Sequence, residues 1–420
     1  MSNGWAKLIG VMLIAGTVSG CVGRNAEPVE EAKSTINGTI TFLTHRTDIA
    51  DTTMMDYVAA FKRLYPEADV KIEAVKDQSN ILRVRAASGQ LPDVTFIGGD
   101  TIQPKDFPRF FAPLDDLGLN GKAYFQDQFT VDGKVYAVTS GGTMTGIIYN
   151  KTAFEKAGIS GVPRTIDEFL AACAKLKAAG IVPVATNFMD KWPLNYYESM
   201  AQAIEGDAKN VLDQNAERDA PFAEDLPYGK ALNLLRLIVD KKYAEADLFS
   251  TNWEQSKKDL ATGSTAMALL GNWAIQQVVE NGAKPEDIGF FPMPTDNSGK
   301  LTSPIGSDAA LAVNKDSEHI ETAKAWVEFL VEQSGYDNDS GLLPALKATK
   351  SHLKQIADFM ASGVVLIESS PKGEYASKVI NKAQFAWADL AQEYAVASDP
   401  QSVLDAYNER WAKARAAIGK

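Results

Sequence analysis

Tryptophans recur near the ends of predicted strands and in the loops that follow them. Four of the seven tryptophans occupy such positions: Trp192, Trp253, Trp273 and Trp387. The face of an indole ring can pack against the C–H face of a pyranose, while nearby Asp, Arg and Asn side chains bond its hydroxyl groups. Each ring could equally belong to a packed core. Trp273 follows Gly-Asn and Trp192 precedes Pro, so these two are the better candidates for a binding site.

Two polar segments, residues 45–48 and 98–100, each follow a predicted buried strand. Strands and helices alternate over residues 39–97, which predicts a βαβαβ unit and a parallel sheet. Ligands of such sheets bind at the carboxyl ends of the strands. Both segments could equally be solvated loops. The candidate ligand-binding residues in them are His45, Arg46, Asp48 and Asp100.

Catalytic and metal-binding motifs are missing from the sequence. It has no Gly-x-Ser-x-Gly, no His-Glu-x-x-His and no phosphate-binding Gly-x-x-x-x-Gly-Lys-Ser/Thr loop. Of the three histidines, only His45 falls in a candidate site loop. Cys173 lies on the apolar face of a predicted helix and is expected in the core. We therefore expect no enzymatic activity, no cofactor and no metal.

Length and charge restrict the class of protein further. A chain of 420 residues is too long for one compact core, so two domains are expected. The net charge of −12 makes nucleic acid and an anionic membrane surface poor partners. The two cysteines, at positions 21 and 173, cannot form a disulfide framework.

The amino terminus is predicted to be a targeting segment. Lys7 precedes an apolar run over residues 8–18, too short to span a bilayer but typical of a signal peptide. The sequence Val-Ser-Gly-Cys at 18–21 resembles the lipobox of bacterial lipoproteins, which implies a signal peptide over residues 1–20 and a lipidated Cys21. Residues 21–35 would be a flexible tether. A plain secretory signal with an incidental cysteine is the alternative.

A paired glycine, Gly141-Gly142, separates two apolar strand-like runs at residues 135–139 and 144–149. Glycines let the chain change direction sharply. Strand–helix repeats precede this point and a helix-rich half follows it. We interpret it as a crossing between two lobes, although an ordinary loop between neighbouring strands would have the same pattern. From residue 351 to residue 418 the chain is predicted to be almost entirely helical.

The order of several short motifs resembles the solute-binding proteins of ABC importers, family 1, of the maltose-binding-protein-like carbohydrate type. They extend over nearly the whole chain after residue 36. The stretches that carry the resemblance are Pro-Asp-Val-Thr-Phe at 92–96, Ile-Tyr-Asn-Lys at 148–151, Phe-Glu-Lys-Ala-Gly at 154–158, Pro-Arg-Thr-Ile-Asp-Glu-Phe at 163–169, the segment 263–273 ending in Gly-Asn-Trp, and residues 312–330.

The resemblance implies an α/β two-lobe periplasmic-binding-protein fold with discontinuous lobes. Lobe one would comprise residues 36–141 and 292–333, and lobe two residues 142–291 and 334–420. Hinge segments would join the lobes, and a ligand cleft would lie between them. Closure on the ligand would be a hinge motion about the crossings.

The resemblance adds further candidates when the ligand contacts of the family are transferred to the matching positions of this chain. Thr143 stands where maltose-binding protein has a ligand carboxylate, so the ligand contacts must differ, which argues against maltose as the ligand. Trp273 matches a stacking tryptophan, Trp192 matches a local Trp-Pro-Leu, and Trp387 lies near a third aromatic position. Asp308 is expected to bond hydroxyl groups together with Arg46, Asp48 and Asp100.

The function implied is capture of a carbohydrate, an oligosaccharide, by a monomer anchored by lipid on the outer face of the cytoplasmic membrane. Permease subunits of an ABC importer would be its partner. Two alternatives stay open. One is a binding protein for a non-sugar solute such as a polyamine or a metal chelate; a polyamine site would favour several carboxylates that cage the amines. A glycoside-processing enzyme would need two facing carboxylates, for which Asp48 and Asp100 are candidates.

Overall fold

A computed structural model describes residues 36–98, 101–206, 211–369 and 372–419. The predicted signal peptide, the tether, Cys21 and Asp100 lie outside the described residues. The described residues form thirteen strands: β1 Gly38–Thr44, β2 Ala68–Ala74, β3 Val94–Ile97, β4 Thr130–Val131, β5 Lys134–Val135, β6 Val138–Thr139, β7 Gly142–Asn150, β8 Val182–Ala185, β9 Thr265–Gly271, β10 Ile288–Phe291, β11 Thr302–Ser307, β12 Ala310–Val313 and β13 Val365–Glu368.

Helices surround these strands. The described α-helices are α1 Thr53–Leu64, α2 Gln78–Ser88, α3 Phe107–Phe110, α4 Lys151–Lys156, α5 Ile166–Ala178, α6 Asn195–Glu205, α7 Val211–Ala216, α8 Pro227–Asp240, α9 Trp253–Thr262, α10 Ala274–Glu280, α11 Ile320–Glu332, α12 Tyr336–Asp339, α13 Lys354–Ala361, α14 Glu374–Ala383, α15 Trp387–Val396 and α16 Pro400–Ile418. Short 3-10 helices cover Pro104–Asp106, Asp115–Leu117, Gln126–Phe129, Trp192–Leu194 and Pro285–Asp287.

The first sheet has the strand order β2-β1-β3-β12-β6. Strand β1 pairs in parallel with both β2 and β3, as the alternating strand–helix pattern predicts. Strand β12 joins antiparallel to β3 and β6. Side chains from one face of the sheet pack on helices α1 and α11, where Phe42, Phe61 and Trp326 are fully buried. This burial of large aromatic rings holds the sheet and the two helices together.

The second sheet has the strand order β13-β11-β7-β9-β8, with β10 also paired to β7. Strand β7 is antiparallel to β9, β10 and β11. All seven residues of β9 are buried, so the strand is covered on both faces. Its sequence accordingly lacks the alternation of apolar and polar residues that a half-exposed strand has. Helices pack on this sheet around Leu176, Leu235 and Trp411, which are fully buried.

The chain crosses between the two sheets at the predicted paired glycine, since β6 belongs to the first sheet and β7 to the second. A second crossing joins β11 to β12. The two crossings lie side by side: the Asp308 backbone N–H donates to Gly141 O over 3.0 Å, and Ser140 N–H donates to Ala309 O over 2.8 Å. A Cβ atom on Gly141 would lie 2.8 Å from Leu342 Cβ, so only glycine fits here without a shift.

Sheet membership differs in two places from the expected division of the lobes. Strand β11 pairs with β7 and β13 of the second sheet, although residues 292–333 were expected in lobe one. Conversely, Tyr336 and Leu342 pack in the core of the first sheet, although residues 334–420 were expected in lobe two. The first difference arises because the chain crosses at residues 308–309, between two strands that the sequence pattern alone does not separate, and the second because the chain stays on the first sheet beyond α11.

Local predictions can be compared in the same way. Strand β13 lies within residues 351–418, so the prediction of an almost entirely helical segment is wrong there; β13 pairs in parallel with β11 at the sheet edge. Cys173 is fully buried on α5, and burial raises the pKa of its thiol to about 12, which confirms a core role. Within the described ranges, no helix combines the length and apolarity needed to cross a membrane.

Candidate functional site

A cavity of about 480 Å³ opens where the chain leaves the carboxyl end of β1. Residues His45, Arg46 and Asp48 line it from the first sheet. Lys257 on α9 and Gln276 on α10 line it from the second. The predicted polar segment therefore lies at the carboxyl end of a strand, in a cavity to which both sheets contribute residues.

A second cavity, of about 470 Å³, adjoins the first. It is lined by hydroxyl groups of Thr143, Ser199 and Ser307 and by the rings of Trp192 and Tyr196. Trp273 and Asp308 line both cavities. The two cavities are therefore halves of one elongated cleft and adjoin at this pair of side chains.

Three tryptophans meet at the centre of the cleft. The ring centroids of Trp192 and Trp273 are 5.8 Å apart, and those of Trp253 and Trp273 are 6.0 Å apart. Trp253 is 7% exposed and donates from Nε1 to Gln277 Oε1 over 3.0 Å. It therefore supports the other two rings from behind, and the half-buried Trp192 and Trp273 present apolar surface to the cavities.

The orientation of Trp273 is fixed by its neighbours. Its Nε1 donates a 2.7 Å hydrogen bond to the hydroxyl of Tyr196. Burial raises the pKa of Tyr196 to about 12, so this hydroxyl keeps its own proton at neutral pH. A Cβ atom on Gly271 would overlap the Trp273 indole, so the glycine at the end of β9 leaves the room that the ring needs.

Arg46 is held at the cavity wall by charged and polar partners. Its Nε donates to Asp48 Oδ1 over 2.9 Å, and its Nη1 donates to Ser340 Oγ over 2.6 Å. Burial alone would raise the pKa of Asp48, but the hydrogen bonds and charge of Arg46 outweigh it and keep that pKa below its ordinary value. Asp48 is therefore ionised at neutral pH and accepts hydrogen bonds only.

His45, which follows β1, and Asp308, which lies in the second crossing, influence each other's pKa through their charges. Burial lowers the pKa of His45 below its ordinary value of 6.5; Asp308 opposes this shift and Arg46 adds to it. Burial also raises the pKa of Asp308. The charges of His45 and Arg46 and a long, 3.4 Å hydrogen bond from Thr143 Oγ1 oppose this rise but do not cancel it. The imidazole is consequently neutral at pH 7 and can both donate and accept hydrogen bonds.

Most of the predicted site residues come together in the cleft. His45, Arg46, Asp48, Thr143, Trp192, Trp273 and Asp308 all line one or both cavities. Trp387 does not: it is 3% exposed, packs against Tyr228 with ring centroids 4.7 Å apart and the rings tilted, and donates from Nε1 to Leu194 O. Its prediction as a ligand contact is corrected to a core role, because α15 turns this indole toward α8 and away from the cleft.

Several cleft residues were missed by the sequence argument. Tyr196 follows Trp192-Pro-Leu by one turn of helix, a spacing that could have indicated it. Gln276 lies three residues after Trp273, on the same face of α10. Ser340 had no usable sequence signal, since its place in the cavity depends on how the segment after α11 packs on the first sheet.

With the fold and the cleft in place, comparison with known proteins identifies the class. Residues 47–336 match the family of bacterial extracellular solute-binding proteins. The match covers more than half of the chain, and the chain belongs to this family. Its members are transport proteins that act outside the cytoplasm, and the expected α/β two-lobe fold is confirmed by the solved structures that the chain resembles.

Individual relatives are distant but cover most of the chain. The Multiple sugar-binding protein of Streptococcus mutans is 26% identical over 353 residues, covering 80% of this chain and 82% of the relative. The melibiose/raffinose/stachyose-binding protein MelE of Bacillus subtilis is 24% identical, covering 76% and 75%. The binding protein BlMnBP1 of an ABC transporter from Bifidobacterium animalis, solved with mannobiose, has a TM-score of 0.77 and 26% identity, covering 91% and 95%.

Proposed function

We propose that the protein captures a carbohydrate, specifically an oligosaccharide, outside the cell and delivers it to the permease of an ABC importer. The observation that carries this proposal is the elongated cleft whose two cavities, of about 480 and 470 Å³, meet at Trp273 and Asp308. An oligosaccharide has alternating apolar C–H faces and hydroxyl groups. A cleft that combines indole faces with closely placed hydrogen-bonding side chains suits that chemistry.

Each side of the cleft has a distinct role in capture. Trp273 and Trp192 stack on sugar rings, and the fixed indole of Trp273 costs little ordering entropy on binding. Asp48 and Asp308 accept hydrogen bonds from sugar hydroxyls, and Arg46 donates to them. The names of the relatives support the ligand class: the chain resembles proteins that are described as binding several sugars and as holding mannobiose.

Ligand capture is completed by a hinge motion of the two lobes. The crossings at residues 139–142 and 307–309 act as the hinges, with the lobes divided where the sheets divide. Closure brings Trp273 and Lys257 toward Arg46 and Asp48 around the bound sugar. The protein performs no chemistry on the sugar, and hydrolysis of ATP belongs to another chain.

Delivery requires that the protein stay close to its permease. Cleavage before Cys21 and lipidation of that cysteine anchor the chain on the outer face of the cytoplasmic membrane. Residues 21–35 then act as a tether that lets the monomer reach the permease. Resistance of the chain to extraction by carbonate, and its release after Cys21→Ser, is the test of this anchor.

A ligand panel tests the function. Purified residues 36–420 are heated with neutral di- and trisaccharides, with an acidic sugar and with spermidine, each at high concentration. A ligand present at a hundred times its dissociation constant stabilises the folded protein by about 2.7 kcal/mol. We expect this effect from a neutral oligosaccharide, with no product released on chromatography. Stabilisation by spermidine alone, or steady release of shorter sugars, would overturn the proposal.

A further inference from the structure

A single buried amide joins three backbone segments directly behind the cleft. Asn272 is fully buried between the end of β9 and the start of α10. Its Nδ2 donates to Gly341 O over 2.8 Å and to Gly142 O over 3.2 Å, and its Oδ1 accepts from Met144 N over 2.6 Å. Both donor hydrogens of the amide are therefore used.

The partners of this amide belong to different sheets. Gly142 and Met144 begin β7, in the second sheet, immediately after the crossing. Gly341 lies in a segment held to the first sheet: Asp339 accepts a hydrogen bond from Tyr57, and Ser340 accepts one from Arg46. Asn272 therefore connects the centre of the second sheet to a segment that bonds to the first, and it does so beside the backbone pair of Gly142 and Leu343, which joins the same segment to β7.

We propose that Asn272 is a positioning residue that couples the separation of the lobes to the position of Trp273. The next residue along the chain is Trp273, whose indole separates the two cavities. When the lobes move, the amide keeps Gly341 and Gly142 at a constant distance from the base of that indole. Asn272 does not occur among the described residues that line the cavities, so it would act without touching the ligand.

The chemistry of the contact requires an amide. Aspartate has nearly the same shape but offers no donor at neutral pH, so Asn272→Asp would set a carboxylate against two carbonyl oxygens in a site without solvent. Asn272→Ser retains one donor on a side chain too short to bridge both carbonyls. Both variants weaken the connection between the sheets, the aspartate variant more strongly.

A second buried asparagine provides a matched control. Asn150 is 2% exposed, donates from Nδ2 to Leu260 O over 2.9 Å and accepts from Ala153 N over 2.9 Å. All of its partners belong to the second sheet and its helices. Asn150→Asp therefore removes the same kind of bridge within one lobe, without touching the connection between lobes.

The test combines a readout without ligand and one with ligand. Small-angle scattering of the ligand-free proteins gives the radius of gyration, and titration with mannotriose and raffinose, followed by tryptophan fluorescence, gives the affinity. We expect Asn272→Asp to have a larger radius than the unchanged protein and at least about tenfold weaker binding, with Asn272→Ser between them. Asn150→Asp should keep the unchanged radius and affinity, even where its melting temperature falls equally.

The predicted change in sugar affinity rests on the proposed function, but the predicted change in the radius of gyration does not. An unchanged radius and affinity in both Asn272 variants would overturn the positioning role. Equal changes in Asn150→Asp would also overturn it, because they would trace the effect to general destabilisation. A shifted radius in a protein that binds neither sugar would leave the positioning role standing and count against the proposed function alone. If Asn272→Asp does not fold, Asn272→Ser decides between these outcomes.

Discussion

The indole Nε1 of Trp273 donates a 2.7 Å hydrogen bond to the hydroxyl of Tyr196, and both side chains line the same cavity. The bond fixes an aromatic face where the two cavities of the cleft adjoin, and both sheets contribute residues to that cleft. Because the Tyr196 hydroxyl keeps its proton at neutral pH, it accepts from the indole and still has a hydrogen to donate. A fixed stacking surface beside a hydroxyl group that can donate suits the recognition of a sugar.

Removing that hydrogen bond should weaken binding while the fold survives. In Tyr196→Phe the indole loses its acceptor and gains freedom to rotate. One such bond contributes about 0.5–1.5 kcal/mol, so we expect affinity for the bound oligosaccharide to fall between about twofold and tenfold. Calorimetric titration measures the change. An unchanged affinity would mean that Trp273 is held by packing on Trp192 and Trp253 alone.

Acidification should destabilise the ligand-free protein partly through His45. Its pKa is lowered by burial, which outweighs the opposing charges of Asp308 and Asp48 and acts together with Arg46. The unfolded chain therefore binds a proton near pH 6.5 while the folded protein resists it, so the free energy of unfolding falls as pH drops below that value.

The variant His45→Gln separates this contribution from all other titrations. Urea unfolding of both proteins at pH 7.5 and pH 5.5 gives the loss of stability on acidification. We expect a smaller loss in His45→Gln. Asp308, whose pKa is raised, acts in the opposite sense because its folded form gains stability at low pH. An equal or larger loss in the variant would show that His45 is not held neutral.

The first cavity should discriminate against acidic sugars. Five carboxylates line it, from Asp48, Glu254, Glu280, Asp308 and Asp339. Its two cationic side chains already form ion pairs, Arg46 with Asp48 and Lys257 with Glu254, each at 2.8 Å. A uronic acid entering this cavity would meet excess negative charge, which repels it more strongly at low salt.

Two measurements check this expectation. An oligosaccharide that ends in a uronic acid should bind at least about tenfold more weakly than its neutral counterpart at low ionic strength, and the difference should shrink as salt is added. Glu280→Gln, on the exposed rim, should reduce the difference in affinity between the two sugars without altering affinity for the neutral sugar. Tighter binding of the acidic sugar would mean that Arg46 exchanges Asp48 for the ligand.

The regular parts of the fold were predictable from the sequence because they depend on local patterns. Short β-branched and apolar runs predict strands β1 and β3, and helical spacing predicts helix α1. The parallel pairing of β1 and β3 follows from the alternation of strands and helices. The strand-end rule placed Arg46 and Asp48 in the cleft. Strand β13 was missed because β11, its parallel partner, lies about sixty residues earlier in the chain and no local signal joins them.

The sequence predicts a site residue only where its position at a strand end also means that its side chain faces the cleft. Trp273 and Trp387 look alike in sequence, each beside small residues at the start of a helix. What separates them is the helix each one begins: α10 leaves the end of a central strand toward the cleft, whereas α15 packs on α8. Ser340 lines the first cavity and bonds to Arg46, 294 residues earlier in the chain, and no local sequence pattern records a contact over that separation.

The central claim is that Trp273 is the stacking surface of an oligosaccharide site. Calorimetric titration of the unchanged protein, Trp273→Ala and Trp387→Phe with the sugar found in the ligand panel tests it directly. Loss of about 100 Å² of buried apolar contact weakens binding by about 2.5 kcal/mol, or roughly sixtyfold. We predict that loss in Trp273→Ala, with the ligand-free variant still folded. Trp387→Phe should lower the melting temperature and leave affinity unchanged. Full affinity in Trp273→Ala would contradict the account.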